Sequence, residues 1–435
     1  MKVYKLDKGM TLGYVHYPSR KFRMEIVIKA GMLQESKKEH GYAHVVEHLC
    51  SFYPSDKYPD SAKNQQEFSK MGIEVNAWTE HNSVGYFLEG LADYFETCFD
   101  MMMCNYIKPK NDFKIFKQEK NSVIQELSNM LDNPWLNLDE EMLKKIYPKT
   151  NLSLGVKDEI ENVKNSTIDE VMKYRKKWYN PSITTILITA DKNIIDPKKY
   201  CNKINEFIKL LDCKKIKTIK QPKLKIQQGS VFFAKTDTTS YRLIFSFKIP
   251  YRAWETEPLA LDYLSEILTE GMGSRLMAKL RTELGAIYNV ASYIEWDHLN
   301  HDRNFFIIRV ETQKEKVHDT YCSLVKEIAK MVGFYGTPEQ ITNEEKIREI
   351  EDNKDLDEIK NTNLFRLNTK DLEEQLIWWD GPQKDMKKRL QERAEIPFEK
   401  VKKIFQKVLG GGFTLWYAGP EKLDYSKIFN CKTKK

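Results

Sequence analysis

Residues 213–225, CKKIKTIKQPKLK, are basic, contain Pro222 and lack helical periodicity, and the same order of elements runs on either side of them. That recurrence limits the fold more than any other feature, because a chain of 435 residues is too long for one comfortable core. Before the break, alternating apolar residues predict strands at 2–6, 11–16 and 23–30, then helices at 40–53 and 62–71. A hairpin follows in IEVNAWTEHNSVGYFLEGL, then helices at 91–106, 112–131, 138–146 and 167–178, and a buried strand in YNPSITTILITADKN. After the break come strands at 230–235 and 241–249, helices at 257–269 and 274–284, and strands at 286–296 and 303–312. Helices at 314–332 and 341–352 and a terminal turn and strand, GGGFTLWYAGP, complete the second half. No repeat is visible at the residue level. The expectation is two related α+β domains, 1–212 and 226–435, joined by a linker at 213–225.

Composition removes several classes of function. With 41% hydrophobic and 31% charged residues the chain has the balance of a globular protein, not a disordered one. No window approaches the ~18 apolar residues of a membrane span. The N-terminus, MKVYKLDKGMTLGYVHYP, alternates like a strand and carries Asp7, unlike a targeting segment. The net charge of +7 comes from dispersed lysines, which suits a solvated surface better than a nucleic-acid stripe. Seven cysteines, an odd number without paired spacing, predict free thiols and a cytoplasmic location. Cys50 falls on the apolar side of its helix and is expected in the core.

The chemistry concentrates in GYAHVVEHLCSF, residues 41–52. At ~100° per residue, His44, Glu47 and His48 share an arc of about 100°, while Val45, Val46 and Leu49 occupy the remaining circumference. Imidazoles at i and i+4 can reach one zinc ion, and a carboxylate beside them can take a proton from water. This is the H-x-x-E-H order, the reverse of the thermolysin-like one. Two core histidines beside a salt-bridged glutamate are the other reading of these five letters. A third ligand decides between them, because a catalytic zinc takes three protein ligands and keeps an open position. In FKQEKNSVIQEL, Glu119 and Glu126 lie two helical turns apart and face the same way. Taken alone, such a pair is more often solvated than ligating.

The order of these segments resembles the pitrilysin family of inverzincins, which includes insulin-degrading enzyme and mitochondrial processing peptidase. H-x-x-E-H is followed at the upper end of the family spacing by Glu126, with Glu119 seven before it. AGMLQESKKEHGYAHVVEHL is similar to the family's approach to the motif, with Gly31, Glu35 and Gly41 in matching places. GIEVNAWTEHNSVGYF resembles its N-A-x-T strand, and YRKKWYNPSITTILITADKN its Y-x-P and buried-strand segment. GMGSRLMAKLRTELGAIYNVAS resembles its G-x-x-S-R-L…R-E-x-x-G-x-x-Y segment. Departures are SFYPSDKYP in place of F-x-G-T, Thr282 in place of an acid after arginine, and Thr189-Ala190-Asp191 in place of V-x-G-D. His81 is an uncommon neighbour in the hairpin and reads as a surface residue, since three ligands already complete a catalytic set.

The resemblance implies domains that are each a mostly antiparallel β-sheet packed against helices. It implies one Zn²⁺ per chain held by His44, His48 and Glu126, with Glu47 as general base and Glu119 orienting a histidine. Asn76 and Ala77 would offer backbone groups of an edge strand to an extended peptide, and Arg281 and Tyr288 would reach the scissile carbonyl. The implied activity is that of a zinc metalloendopeptidase acting on unfolded peptides. Relatives of this size resemble one half of a clam-shell chamber, which implies a homodimer or a heterodimer with a similar half-size subunit. A peptide-binding or scaffold subunit of the same fold, without turnover, is the alternative.

Overall fold

The computed structural model describes residues 2–110, 112–148, 150–217, 228–253, 255–296, 304–332, 392 and 396–431. The expected helix at 341–352 and most of the linker lie outside them. The described residues fall into two compact units. The first is drawn from within Met1–Asn133 and Pro148–Gln221, the second from within Pro134–Tyr147, Pro222–Asn361 and Trp379–Lys435.

In the first unit, β1 (Lys2–Lys5), β2 (Thr11–His16), β3 (Lys21–Ile28), β4 (Glu74–Thr79), β5 (Val84–Leu91) and β6 (Thr184–Ala190) form one sheet. The strand order is β1-β2-β6-β3-β5-β4, antiparallel throughout except for β2 with β6. β6, TTILITA, is buried along its whole length, the pattern of a strand covered on both faces. The helices are α1 (Tyr42–Cys50), α2 (Ser61–Met71), α3 (Phe95–Ile107), α4 (Phe113–Met130), α6 (Val156–Asn165), α7 (Ile168–Trp178) and α8 (Pro197–Lys209), α5 (Leu136–Ile146) belonging to the second unit. α6 and α8 were not among the expected helices, although Val156, Ile160 and Val163 of α6 and Tyr200, Ile204 and Ile208 of α8 each fall on one buried helical face. α1 contacts α4, α7 and β4, and every one of its residues except His48 is buried. α4 starts where the Asp112 carboxylate accepts from the Lys114 and Ile115 amides, at 2.8 and 3.1 Å. It buries Phe116, Val123 and Leu127, a stripe one turn from Glu119 and Glu126.

The second unit contains β7 (Val231–Lys235), β8 (Tyr241–Lys248), β9 (Ile287–Glu295), β10 (Phe305–Thr312) and β11 (Phe413–Gly419), with α9 (Leu259–Thr269), α10 (Val317–Met331), α11 (Phe398–Leu409) and α12 (Tyr425–Ile428). Its strand order, β7-β11-β8-β10-β9, repeats that of the first sheet without β1, again with one parallel pair, β7 with β11. Leu243, Phe245 and Phe247 of β8 and Phe306, Ile308 and Val310 of β10 form a core with Leu264 of α9, Leu324 of α10 and Phe405 of α11. Each strand contributes residues two apart, so one sheet face meets the helices. The expected helix at 274–284 is present in part as a widened π-type helix, Met277–Glu283, where the Leu284 amide reaches back to Lys279. The fold is α+β, two similar units each built on a mostly antiparallel sheet.

α5 lies before the expected linker yet packs against β11 and β7 of the second sheet. Asp139 of this helix pairs with Arg309 at 2.5 Å, and the Trp135 ring lies near the guanidinium groups of both Arg309 and Arg242. One cysteine expectation needs correction. Cys322 on α10 and Cys431 beyond α12 form a disulfide, and five cysteines are free, Cys50 among them in the core as expected. Sequence spacing could not show this pairing, because α10 and α12 are brought together by the fold across 109 residues. With two of the seven cysteines paired, the thiols no longer point to a reducing compartment. Among the described residues, no helix is long and apolar enough to cross a membrane.

Candidate metal centre

α1 begins at Gly41, whose φ of 98° lies in the left-handed region. A Cβ at this position would stand 2.6 Å from Val163 Cγ2 and 2.8 Å from Glu159 Cγ, so glycine is what lets α6 back onto the start of α1. The Glu35 carboxylate accepts from the Gly41 and Ala43 amides, at 3.1 and 2.7 Å, and satisfies two of the donors that a helix start leaves open. His40 Nδ1 stands 3.4 Å from the same carboxylate. Burial pushes the Glu35 carboxyl up to about 7, against the lowering effect of His40 and the Ala43 amide.

One turn further, the rings of His44 and His48 lie edge to face with centroids 5.0 Å apart. Glu126 Oε2 on α4 lies 3.6 Å from His44 Nε2 and 3.4 Å from His48 Nε2. Two donors on one tetrahedral zinc, with bonds of about 2.0–2.1 Å, stand roughly 3.3–3.4 Å apart, so this donor set fits the ion. The Glu126 side chain is 54% exposed, which leaves the third donor on a side that water reaches. On the far side of each ring sits another carboxylate. Glu119 Oε2 is 3.3 Å from His48 Nδ1, and Glu159 Oε1 is 3.5 Å from His44 Nδ1. Burial by itself lowers the imidazole pKa of His44, but the surrounding Glu159, Glu47 and Glu126 outweigh it and the net shift is upward.

Glu47 is buried beside both rings, with donor atoms of His44, Glu47 and His48 all within 4.8 Å of one another. Burial raises its pKa, partly offset by His48, by His44 and by Thr79 Oγ1, which donates to Glu47 Oε2 at 3.2 Å. Thr79 ends β4, the edge strand of the first sheet, which also carries Asn76 and Ala77. The Ala77 amide donates to Asn76 Oδ1 at 2.9 Å.

The fold therefore brings His44, Glu47, His48, Glu119 and Glu126 together and sets Asn76 and Ala77 on the edge strand that ends at Thr79. Arg281 and Tyr288 belong to the second unit, where the guanidinium lies 4.7 Å from the centre of the tyrosine ring and Tyr288 is 81% exposed. His81 lies in the hairpin between β4 and β5, outside the cluster. Sequence reasoning missed Thr79 and Glu159. Thr79 stood in view as the last letter of the N-A-x-T match; nothing in GVKDEIENVKN marked Glu159 apart from the other acids around it.

Two family descriptions match most of the chain between them: "Insulinase (Peptidase family M16)" over residues 14–160 and "Peptidase M16 inactive domain" over residues 165–348. All the residues gathered around His44 and His48 fall in the first. An "Uncharacterized zinc protease" of Rickettsia felis is 23% identical over 355 residues, covering 80% of each chain. The crystal structure of a protease from Helicobacter pylori superposes with a TM-score of 0.76 at 18% identity, covering 96% of this chain and 99% of that one. The structure of a peptidase M16 inactive domain from Pseudomonas fluorescens gives 0.79 at 16% identity, covering 97% and 99%. Motif order, paired sheets and both matched regions agree: the chain belongs to peptidase family M16, the pitrilysin-type family.

Proposed function

We propose that this chain is a zinc-dependent endopeptidase that hydrolyses peptide bonds in unfolded peptides. The observation that carries the reading is the placement of one Glu126 oxygen 3.6 and 3.4 Å from the Nε2 atoms of His44 and His48. These three residues would hold one zinc ion per chain. When bound, zinc supplies Lewis-acid activation of a water molecule and of the scissile carbonyl.

The remaining chemistry falls to the chain. Glu47 takes a proton from the attacking water at its carboxylate and returns it to the leaving amine nitrogen as the C–N bond breaks. Thr79 holds Glu47 Oε2 and leaves Oε1 for that exchange. Burial raises the basicity of Glu47, which suits a base working near neutral pH. An extended peptide adds to the edge of β4 along Asn76 and Ala77, a mode that reads backbone and accepts many sequences. Glu119 orients His48 through Nδ1. A second subunit, a further copy or a similar half-size chain, closes the chamber, with Arg281 and Tyr288 acting across that interface as donors to the developing oxyanion.

The description of residues 165–348 as an inactive domain does not weigh against this reading, because that stretch contains none of the zinc-centre residues. The test is metal analysis of the purified chain together with cleavage of an unstructured fluorogenic peptide. The wild type should carry one zinc and lose activity to a chelator, and Glu47→Gln should keep the metal while cleavage falls about 10²–10⁴-fold. Undiminished cleavage by Glu47→Gln would remove the role given to Glu47. Zinc and peptide binding without cleavage in the wild type would point to a scaffold subunit instead.

A further inference from the structure

We propose that Glu159 is a positioning residue that sets the orientation and tautomer of His44, so that His44 Nε2 presents its lone pair toward Glu126. The inference rests on the reading that His44, His48 and Glu126 hold zinc. Glu159 is 3% exposed, and among the described residues its Oε1 has no hydrogen-bond partner, with His44 Nδ1 at 3.5 Å. A small rotation of the imidazole brings that separation into hydrogen-bond range. A buried carboxylate oxygen without a donor is costly, and a protonated Nδ1 is the donor at hand.

Helix capping does not account for Glu159. The acid that closes the start of α6 is its neighbour Asp158, whose Oδ2 accepts from the Gly155 amide at 2.9 Å. Glu159 is left on the side of α6 that meets α1, where the bare Cα of Gly41 leaves room for it. The arrangement parallels that of Glu119 and His48, with one physical difference. The Glu119 side chain is 35% exposed and screened by water, whereas that of Glu159 is 3% exposed. The buried carboxylate therefore exerts the stronger hold on its ring. Carboxylates on the far nitrogen of a ligating histidine fix the ring and raise its basicity.

The test uses the full metal-free chain titrated with Zn²⁺ against a chromophoric chelator. Glu159→Ala should bind about 10–100-fold more weakly than wild type, and Glu159→Gln, of equal size and able to accept through its carbonyl, should fall toward the lower end of that range. Nitrogen NMR of the His44 ring in the metal-free chain gives a second readout. Wild type should show the Nδ1–H tautomer, and Glu159→Ala should lose that preference. A role confined to packing would leave the zinc affinity unchanged in Glu159→Gln. Equal affinity and an unchanged tautomer in a folded Glu159 variant overturn the proposal while leaving the zinc reading intact. A wild type that binds no zinc overturns the metal reading itself. Should Glu159→Ala fail to fold, the zinc affinity of Glu159→Gln decides, an affinity equal to wild type overturning the proposal.

Discussion

Replacing Gly41 by alanine tests how the metal helix is seated. Two costs apply, and the structure separates them. A left-handed φ of 98° strains an L-residue by about 1–2 kcal/mol. The added methyl would also stand 2.6 Å from Val163 Cγ2 and 2.8 Å from Glu159 Cγ, both buried and neither the free tip of a flexible chain. Overpacking of this kind costs a further ~1–3 kcal/mol, for a total of roughly 2–5 kcal/mol. Gly72, the C-cap of α2, supplies the control: its φ is 65° but nothing lies within 4 Å of its would-be Cβ. Gly72→Ala should therefore show the strain cost alone, about 1–2 kcal/mol. The assay is urea unfolding of the metal-free chain, followed by circular dichroism and tryptophan fluorescence. With a slope of about 2–3 kcal/mol/M for a unit of this size, Gly41→Ala should lower the midpoint of the first unit by roughly 0.7–2.5 M. Adding Glu159→Ala to Gly41→Ala should cost less than the two changes separately, because truncation removes one of the two clashes. Equal shifts for Gly41→Ala and Gly72→Ala would refute the packing argument and, with it, the account of how α6 reaches His44.

Two further outcomes can be checked. The oxidised, denatured chain should show five reactive thiols and the fully reduced chain seven; Cys431→Ser should destabilise the oxidised second unit by about 2–4 kcal/mol and leave the reduced one nearly unchanged. Seven thiols without reductant would contradict the Cys322–Cys431 pairing. The Glu35 carboxyl is pushed up to about 7 from an ordinary 4.5, so the folded chain holds a proton there that the unfolded chain releases. Stability contributed by that group should fall as pH rises from about 4.5 to 7, the direction set by a folded state that binds more protons. Glu35→Gln should flatten the decline, and it also removes the carboxylate that chiefly holds the His40 pKa up against burial; an unchanged pH profile would remove Glu35 as its source.

The sequence by itself determined those features that depend on near neighbours along the chain. The spacing of His44, Glu47 and His48 places them on one arc of a helix whatever surrounds it, because helical geometry is local. The alternation in β2, β3 and β8 and the repeated order of elements likewise showed two similar sheets before any contact was known. Helical spacing made Glu126 a candidate but only resemblance favoured it as a ligand, since a carboxylate on a distant helix looks the same whether it is solvated or aimed at two imidazoles. Tertiary structure alone decided which acids meet which rings. Glu159 sits on a helix whose period gives its buried face but not the ring that face meets, and reaches His44 because Gly41 has no side chain. Thr79 meets Glu47 because the last residue of an edge strand lies against α1. α5 crosses to the second sheet through Trp135, Asp139 and Arg309, and Cys322 finds Cys431 because α12 returns to α10. Each of these depends on distance in space between residues far apart in sequence, and no local period encodes that distance.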